Sequence, residues 1–220
     1  MIGAARNSAI AVLSLGLVSC VPWTVRPIQP ETAAPTGSTA TANPAAYVDS
    51  IWLAKLLPSV STSAVEARVL LDALAASPEQ AITRYGRREP DAPPYFVVKG
   101  AGTVVSVDTH SRQGLLLVDI APFDRRPDMS IQIGPVLRGT SLRDATGIVH
   151  FSDFVNQLQF ADVGNELNNR VLKTVLANLE PTQLKGRIVS FTGTLAAEAK
   201  ADPPLRELVP VALTVEERRQ

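Results

Sequence analysis

The feature that most constrains the fold is a long β-type stretch at residues 96–107, FVVKGAGTVVSV, which carries two glycines near its middle. β-branched residues dominate this stretch, and they are enriched in strands. Glycine inside a strand marks a bulge, a sharp bend or the close approach of another backbone. We therefore expect one long strand that bends or bulges at Gly100 or Gly102.

Four further β-type segments surround one long helical segment. The strands are expected at residues 115–120, 129–136, 185–195 and 208–215, and the helical segment at residues 152–179. The predicted order is therefore three strands, a helix and two strands, and the first strand is bent. An OB-type five-stranded barrel has this order. The expected class is α+β, with the helix between strands three and four. Periodicity does not establish closure, so an open α+β sheet with the same order is the alternative.

The apolar positions of the helical segment change face partway along it. Val155 and Leu158 share one face, whereas a second set recurs at four-residue steps: Val163, Leu167, Val171, Val175 and Leu179. The gap between the two sets breaks the helical register, and Gly164 lies at the break. This pattern predicts a kink, or two separate helices.

A helical block precedes the strands, at about residues 43–87. Asn43 and Pro44 are typical of a helix start, and Pro58 predicts the end of that helix. Two more short helices follow, so we expect a small helical domain. Trp52 and Tyr85 are expected in its core rather than on a binding surface.

The N-terminus has the pattern of a lipoprotein signal. Residues 9–18 are apolar and uncharged, but a membrane-spanning helix needs about 20 such residues. The run instead matches the apolar region of a secretory signal peptide. The LVSC sequence that ends at Cys20 resembles the bacterial lipobox, so Cys20, the only cysteine, is the predicted lipidation site. Position 21 is Val rather than Asp, which in a Gram-negative host resembles an outer-membrane rather than an inner-membrane retention signal.

Residues 21–45 contain five Pro and five Thr but only two charges, and such a segment cannot bury enough apolar surface to order itself. We therefore expect a signal peptide at 1–19, a Pro/Thr-rich tether at 20–44, a helical domain at 45–90 and an OB-like α/β domain at 91–220.

Charge and motifs argue against several classes of function. The chain has 21 basic and 21 acidic residues, and this balance lacks the basic surface that nucleic-acid binding needs. No HxxxH or HExxH spacing is present, so we expect no metal site, and no motif indicates a cofactor. The DTHSR sequence at residues 108–112 is predicted to be a turn between strands one and two. We expect no catalytic residues, with a cell-envelope hydrolase as the alternative.

The most distinctive stretch is IQIGPVLRGTSLRDATG, residues 131–147, which groups Arg138, Arg143 and Asp144. The planar guanidinium suits carboxylates, phosphates or vicinal hydroxyls, so this could be an anion or sugar site at the barrel mouth. Alternatively, an arginine pairs with Asp144 and pins the crossover to the helix. Asn156 and Gln157 are further candidate ligand contacts, although amides also cap helices.

Residues 98–114, 131–147 and 151–168, together with residues 45–60, resemble the family called domain of unknown function 2291, predicted periplasmic lipoproteins. The resemblance extends over about residues 45–216 and implies a helical domain followed by an OB-like domain. It also implies that the gene of this protein lies beside genes for sugar ABC transporters of the ribose type. The expected partners are therefore the membrane, through the lipid anchor, and a transporter or sugar-binding protein, or a small polar ligand. A purely structural envelope protein is a further alternative.

Overall fold

The computed structural model describes residues 43–88, 92–197 and 205–216. The predicted signal peptide, most of the tether and Cys20 lie outside these residues. Within the described part of the chain, no helix combines the length and apolar character needed to cross a membrane.

The helical region is a series of short elements before the barrel. They are α1 (Pro44–Ile51), a π-helical turn (Trp52–Leu56), α2 (Leu57–Ser63), the two-residue strand β1 (Val65–Glu66), α3 (Ala67–Ala76) and α4 (Pro78–Tyr85). Asn43 caps α1, as expected, because its Oδ1 accepts a hydrogen bond from the backbone N–H of Ala45 at 3.0 Å.

The prediction that the first helix ends at Pro58 is wrong. Helical structure continues through Pro58 to Ser63 because a π-helical turn over Trp52–Leu56 changes the hydrogen-bonding pattern just before the proline. Pro58 then lies in the first turn of α2, where a backbone N–H is not needed for intrahelical bonding.

Five strands close into a barrel. They are β2 (Tyr95–Asp108), β3 (Leu115–Ile120), β4 (Met129–Gln132), β5 (Ile188–Ala196) and β6 (Arg206–Val215). Neighbours follow the order β2-β3-β4-β6-β5, and β5 pairs back onto β2. Only β4 and β6 run parallel within this ring, and β1 adds to β2 in parallel. The predicted OB-type barrel in a mixed α and β fold is confirmed, and the open sheet is not found.

The closure depends on one bent strand. β2 pairs with β5 over Tyr95–Thr103 and with β3 over Gly102–Asp108, so Gly102 has a partner on both sides. A Cβ at Gly102 would lie 2.5 Å from Cγ1 of Val118, which explains why a glycine is required at this approach. The β2–β3 register shifts between Val104 and Ser106, so the bulge lies at Val105, three residues beyond Gly102.

Two α-helices connect β4 to β5, the one-turn α5 (Ser141–Asp144) and the long α6 (Gln157–Thr174). Each is followed by a short 3₁₀ helix, over Phe151–Asp153 and Pro181–Gln183. Of the predicted kink or division at Gly164, the division into two helices is wrong, because α6 is one helix across this position. The predicted break assumed that Leu158 is buried, but its side chain is 71% exposed. The buried face of α6 begins only at Val163.

Helices and strands contribute to one hydrophobic core. Trp52 is buried in it and Tyr85 packs against it half-buried, which confirms that both aromatic residues serve the core. Arg170 of α6 pairs with Asp49 of α1 and joins the crossover helix to the helical region. The proposed division at residue 90 stays a prediction.

Candidate functional site

The centre of the candidate site is an ion pair between adjacent residues of α5. Arg143 Nε donates to Asp144 Oδ1 at 2.7 Å, and Arg143 Nη2 donates to Asp144 Oδ2 at 3.1 Å. The two side chains are only 11% and 9% exposed. Two parallel bonds fix the planes of both groups relative to each other.

The same guanidinium attaches the short helix α5 to α6. Arg143 Nη1 donates to the backbone carbonyl of Phe160 at 3.1 Å, and the guanidinium carbon lies 3.7 Å from the centroid of the Phe160 ring. This is the arrangement expected of a pair that pins the crossover to the helix. Three of the five guanidinium N–H groups are used, and one each remains on Nη1 and Nη2.

The ion pair also forms one wall of a cavity of about 570 Å³. The cavity is lined by residues of α5, of the α5–α6 connection, of the first turn of α6 and of the segment before β2: Ala92, Arg143, Asp144, Val149, His150, Phe151, Ser152, Gln157 and Phe160. It therefore combines a part-buried charged pair, an amide, a hydroxyl, an imidazole and two phenyl rings.

Aromatic contacts set the shape of this cavity. Phe151 meets Phe160 edge-to-face with centroids 5.5 Å apart, and Phe154 meets Tyr47 of α1 in the same way at 5.2 Å. Phe154 is buried, whereas Phe151 is 54% exposed. One ring thus belongs to the core, while Phe151 is accessible at the cavity.

The structure separates the five predicted ligand residues into three groups. Arg143, Asp144 and Gln157 line the same cavity, and Arg138 lines a second cavity of about 210 Å³. Asn156 lines neither of these two cavities; it caps α6, since its Oδ1 accepts from the backbone N–H of Gln159 at 2.9 Å. Of the five predicted residues, only Arg143, Asp144 and Gln157 line the same cavity.

The second cavity is built on a buried glutamine. Gln132 is 2% exposed, accepts from the Arg138 backbone N–H at 2.7 Å and donates to the Arg138 carbonyl at 3.2 Å. These two hydrogen bonds fix the Arg138 backbone to the end of β4. The side chain of Arg138 is exposed and lines the second cavity.

Tyr95 lies close to both cavities. Its hydroxyl is 3.1 Å from Oγ1 of Thr140, and both residues line the smaller cavity. Burial raises the pKa of Tyr95 above its ordinary value, and the Thr140 hydrogen bond and Arg143 act against this shift whereas Asp144 adds to it. Tyr95 was not predicted as a site residue because an aromatic residue at the start of a strand has the same pattern as a core residue.

The DTHSR sequence forms the predicted turn between β2 and β3. The backbone N–H of His110 donates to Oδ1 of Asp108 at 2.8 Å, a local bond typical of such turns. In the described ranges, no three His, Cys, Asp or Glu side chains are grouped as metal ligands would be.

Comparison with known proteins supports the family resemblance and the fold. A family model described as predicted periplasmic lipoprotein (DUF2291) matches residues 10–214. No curated protein matches the chain. A crystal structure of an OB-fold protein from Thermotoga maritima is similar, with a TM-score of 0.65 and 23% identity over 79% of this chain and 98% of that one. At this identity, the likeness concerns the fold alone.

Proposed function

Since the chain belongs to the DUF2291 family of predicted periplasmic lipoproteins, we propose that it binds a small polyhydroxylated ligand and assists a sugar ABC transporter, without converting the ligand. Family membership supports a periplasmic location and a lipid anchor. Anchoring through Cys20 in the outer membrane is part of the proposal.

The cavity beside Arg143 and Asp144 is the observation that carries the ligand proposal. Its volume of about 570 Å³ lies within the range of small-molecule sites, roughly 300–1,000 Å³. The remaining guanidinium N–H groups can donate to hydroxyls, and the carboxylate of Asp144 can accept from them. The exposed Phe151 ring supplies the apolar surface on which the C–H face of a sugar ring packs.

The accessory role in transport rests on the sequence resemblance and on the lipid anchor. An outer-membrane lipoprotein faces the same periplasm as the transporter's sugar-binding protein, and we propose that it contacts this binding protein or the periplasmic face of the transporter. Deletion of the gene is expected to reduce sugar uptake, and the intact lipoprotein is expected to co-purify with a transport component. Unchanged uptake together with no co-purified transport component would contradict this role.

Ligand binding is tested with the full-length lipoprotein in detergent, by calorimetric titration with ribose, galactose and glucose. We expect Phe151→Ala to weaken binding roughly threefold to tenfold, the range of one aromatic contact. The control is Leu158→Ala, because Leu158 is 71% exposed nearby but does not line the cavity. If none of these sugars binds the unmodified protein, the ligand proposal fails.

A hydrolase is the second candidate, because His150 and Ser152 line the same cavity as Asp144. These are the residue types of nucleophilic acyl or glycosyl transfer. Turnover of chromogenic ester or glycoside substrates by the unmodified protein, lost in Ser152→Ala, would favour this candidate. Our proposal expects no turnover, and sugar binding that Ser152→Ala weakens only slightly.

A further inference from the structure

The loop between β3 and β4, residues 121–128, exposes a large apolar ring beside two cations. Phe123 is 61% exposed, and Arg125 and Arg126 are exposed two and three residues later. Neither guanidinium has an ion-pair partner within residues 43–88, 92–197 and 205–216. The ring is therefore not needed for the core, and the charges are not used within the fold.

Aspartates hold this loop in a fixed shape through its backbone. Asp119 Oδ2 accepts from the N–H of Arg125 at 2.7 Å, and Asp124 Oδ1 accepts from the N–H of Arg126 at 2.8 Å. Asp128 Oδ2 accepts from the N–H of Ile120 at 2.9 Å and closes the base of the loop. Arg125 has a φ of 69°, a left-handed conformation that is unfavourable for a residue with a side chain, and the Asp119 bond holds it there.

These bonds also decide which charges reach the surface. Asp119 is buried at 2% exposure, and Asp128 is paired with Arg68 at 3.2 Å. Of the acidic side chains in this loop, Asp124 alone is exposed. Two arginines against one aspartate leave the tip of the loop positively charged around Phe123.

We propose that this loop docks on an anionic phospholipid surface. The Phe123 ring enters the boundary between headgroups and acyl chains, and Arg125 and Arg126 donate to lipid phosphates, which match the planar guanidinium. The occupant is a lipid surface because the family is lipid-anchored, so a bilayer is the surface that this chain always meets.

One ring and two cations bind a bilayer weakly on their own, but the lipid anchor makes the second contact intramolecular. The anchor and the loop together would give the barrel two points of attachment and hence a defined orientation over the membrane. This inference is independent of the sugar cavity, which lies on the β4–β5 crossover rather than on the β3–β4 loop.

The test uses the full-length, acylated protein reconstituted in vesicles of phosphatidylcholine alone or of phosphatidylcholine and phosphatidylglycerol in equal parts. Phe123→Cys is labelled with the environment-sensitive fluorophore NBD; Cys20 is the only native cysteine and is expected to be blocked by its lipid. The matched control is Leu53→Cys, at a position that is 74% exposed but lies on the π-helical turn.

We expect the label at position 123 to show a blue-shifted and several-fold stronger emission in the anionic vesicles, while the label at position 53 stays water-like. Adding Arg125→Gln and Arg126→Gln should remove the difference between the two lipid mixtures. The proposal is overturned if the label at 123 matches the label at 53 in both mixtures. It is also overturned if the shift is equal in both mixtures, or requires an added transporter rather than lipid.

Discussion

Arg143 contacts Phe160 twice: its guanidinium carbon lies 3.7 Å from the ring centroid, and its Nη1 donates to the carbonyl of the same residue at 3.1 Å. A residue of the short helix α5 is thereby attached to α6 through both a ring and a backbone group. Because the other side of the guanidinium holds Asp144, one wall of the cavity of about 570 Å³ and the attachment of the crossover helix depend on the same side chain. Substitutions here are expected to change stability as well as binding.

Removal of Asp144 should destabilise the fold strongly. Asp144→Ala leaves the largely buried Arg143 guanidinium without its counter-charge, and leaving such a polar group unpaired costs about 1–3 kcal/mol. The measurement is urea unfolding followed by circular dichroism. Asp124→Ala is the control, because this aspartate is exposed and its carboxylate bonds only a neighbouring backbone N–H. If the free energy of unfolding falls no more in Asp144→Ala than in the control, the Arg143–Asp144 pair does not stabilise the fold.

Gly164→Ala should stabilise the protein. The position lies inside α6, and an added Cβ would be 3.6 Å from Arg143 Nη1, an ordinary contact distance. Glycine in a helix interior is less favourable than alanine by about 0.5–1 kcal/mol, so the free energy of unfolding should rise by this amount. Thermal unfolding measures it, and a lowered midpoint would contradict the continuous packing of α6 beside Arg143.

Gly102→Ala should have the opposite effect. The added Cβ would lie 2.5 Å from Val118 Cγ1 and 2.6 Å from the carbonyl oxygen of Asp119, so β2 and β3 would have to separate. Overpacking of this kind costs about 1–3 kcal/mol. Gly164→Ala serves as the matched substitution in the same unfolding experiment. Equal stabilities for the two variants would refute the close approach at the bend of β2.

Stability should fall in alkaline solution through Tyr95. Burial raises the pKa of Tyr95 above its ordinary value of 10.0, so near this pH the folded chain keeps a proton that the unfolded chain loses. The associated stability is fully present below the unfolded pKa and is lost as the pH rises through it toward the folded pKa. Burial and the nearby Asp153 also raise the pKa of Tyr47, which adds to the effect.

The check is the unfolding midpoint in urea, measured from neutral pH to above pH 10 for the unmodified protein and for Tyr95→Phe. We expect a smaller alkaline loss of stability in Tyr95→Phe, because one of the two tyrosines with a raised pKa is absent. If the urea midpoint falls equally with rising pH in both proteins, Tyr95 does not contribute to the alkaline loss of stability.

Much of the barrel could be predicted from the sequence, because each strand is recognisable from the residue types of its own segment. β3 was predicted with its observed bounds, and the bent first strand with an error of one residue at each end. The predictions of two separate helices at Gly164 and of a helix end at Pro58 failed for a shared reason. Both interpretations treated local residue type as decisive, whereas exposure of Leu158 and a π-helical turn before Pro58 are set by tertiary packing.

The candidate site was predictable only where its residues are neighbours in sequence. Arg143 and Asp144 are adjacent, so their pairing could be weighed beforehand. Phe151 and Tyr95 reach the cavities through the closure of the barrel and the path of the α5–α6 connection, which no local pattern encodes. Arg138 and Arg143 are five residues apart, yet they line different cavities because the chain turns between them at Gly139, where φ is 92°.

The pairing of Tyr95 with Ala196 sets a condition on when this protein can fold during secretion. The first barrel strand finds its β5 partner only after nearly the whole chain has emerged, and such distant pairing slows folding. Until then residues 95–103 of β2 lack their β5 partner along one edge, a hazard for aggregation. A chain exported from its N-terminus would therefore have its lipid-attachment region across the membrane before the barrel can close, so acylation need not wait for the folded domain.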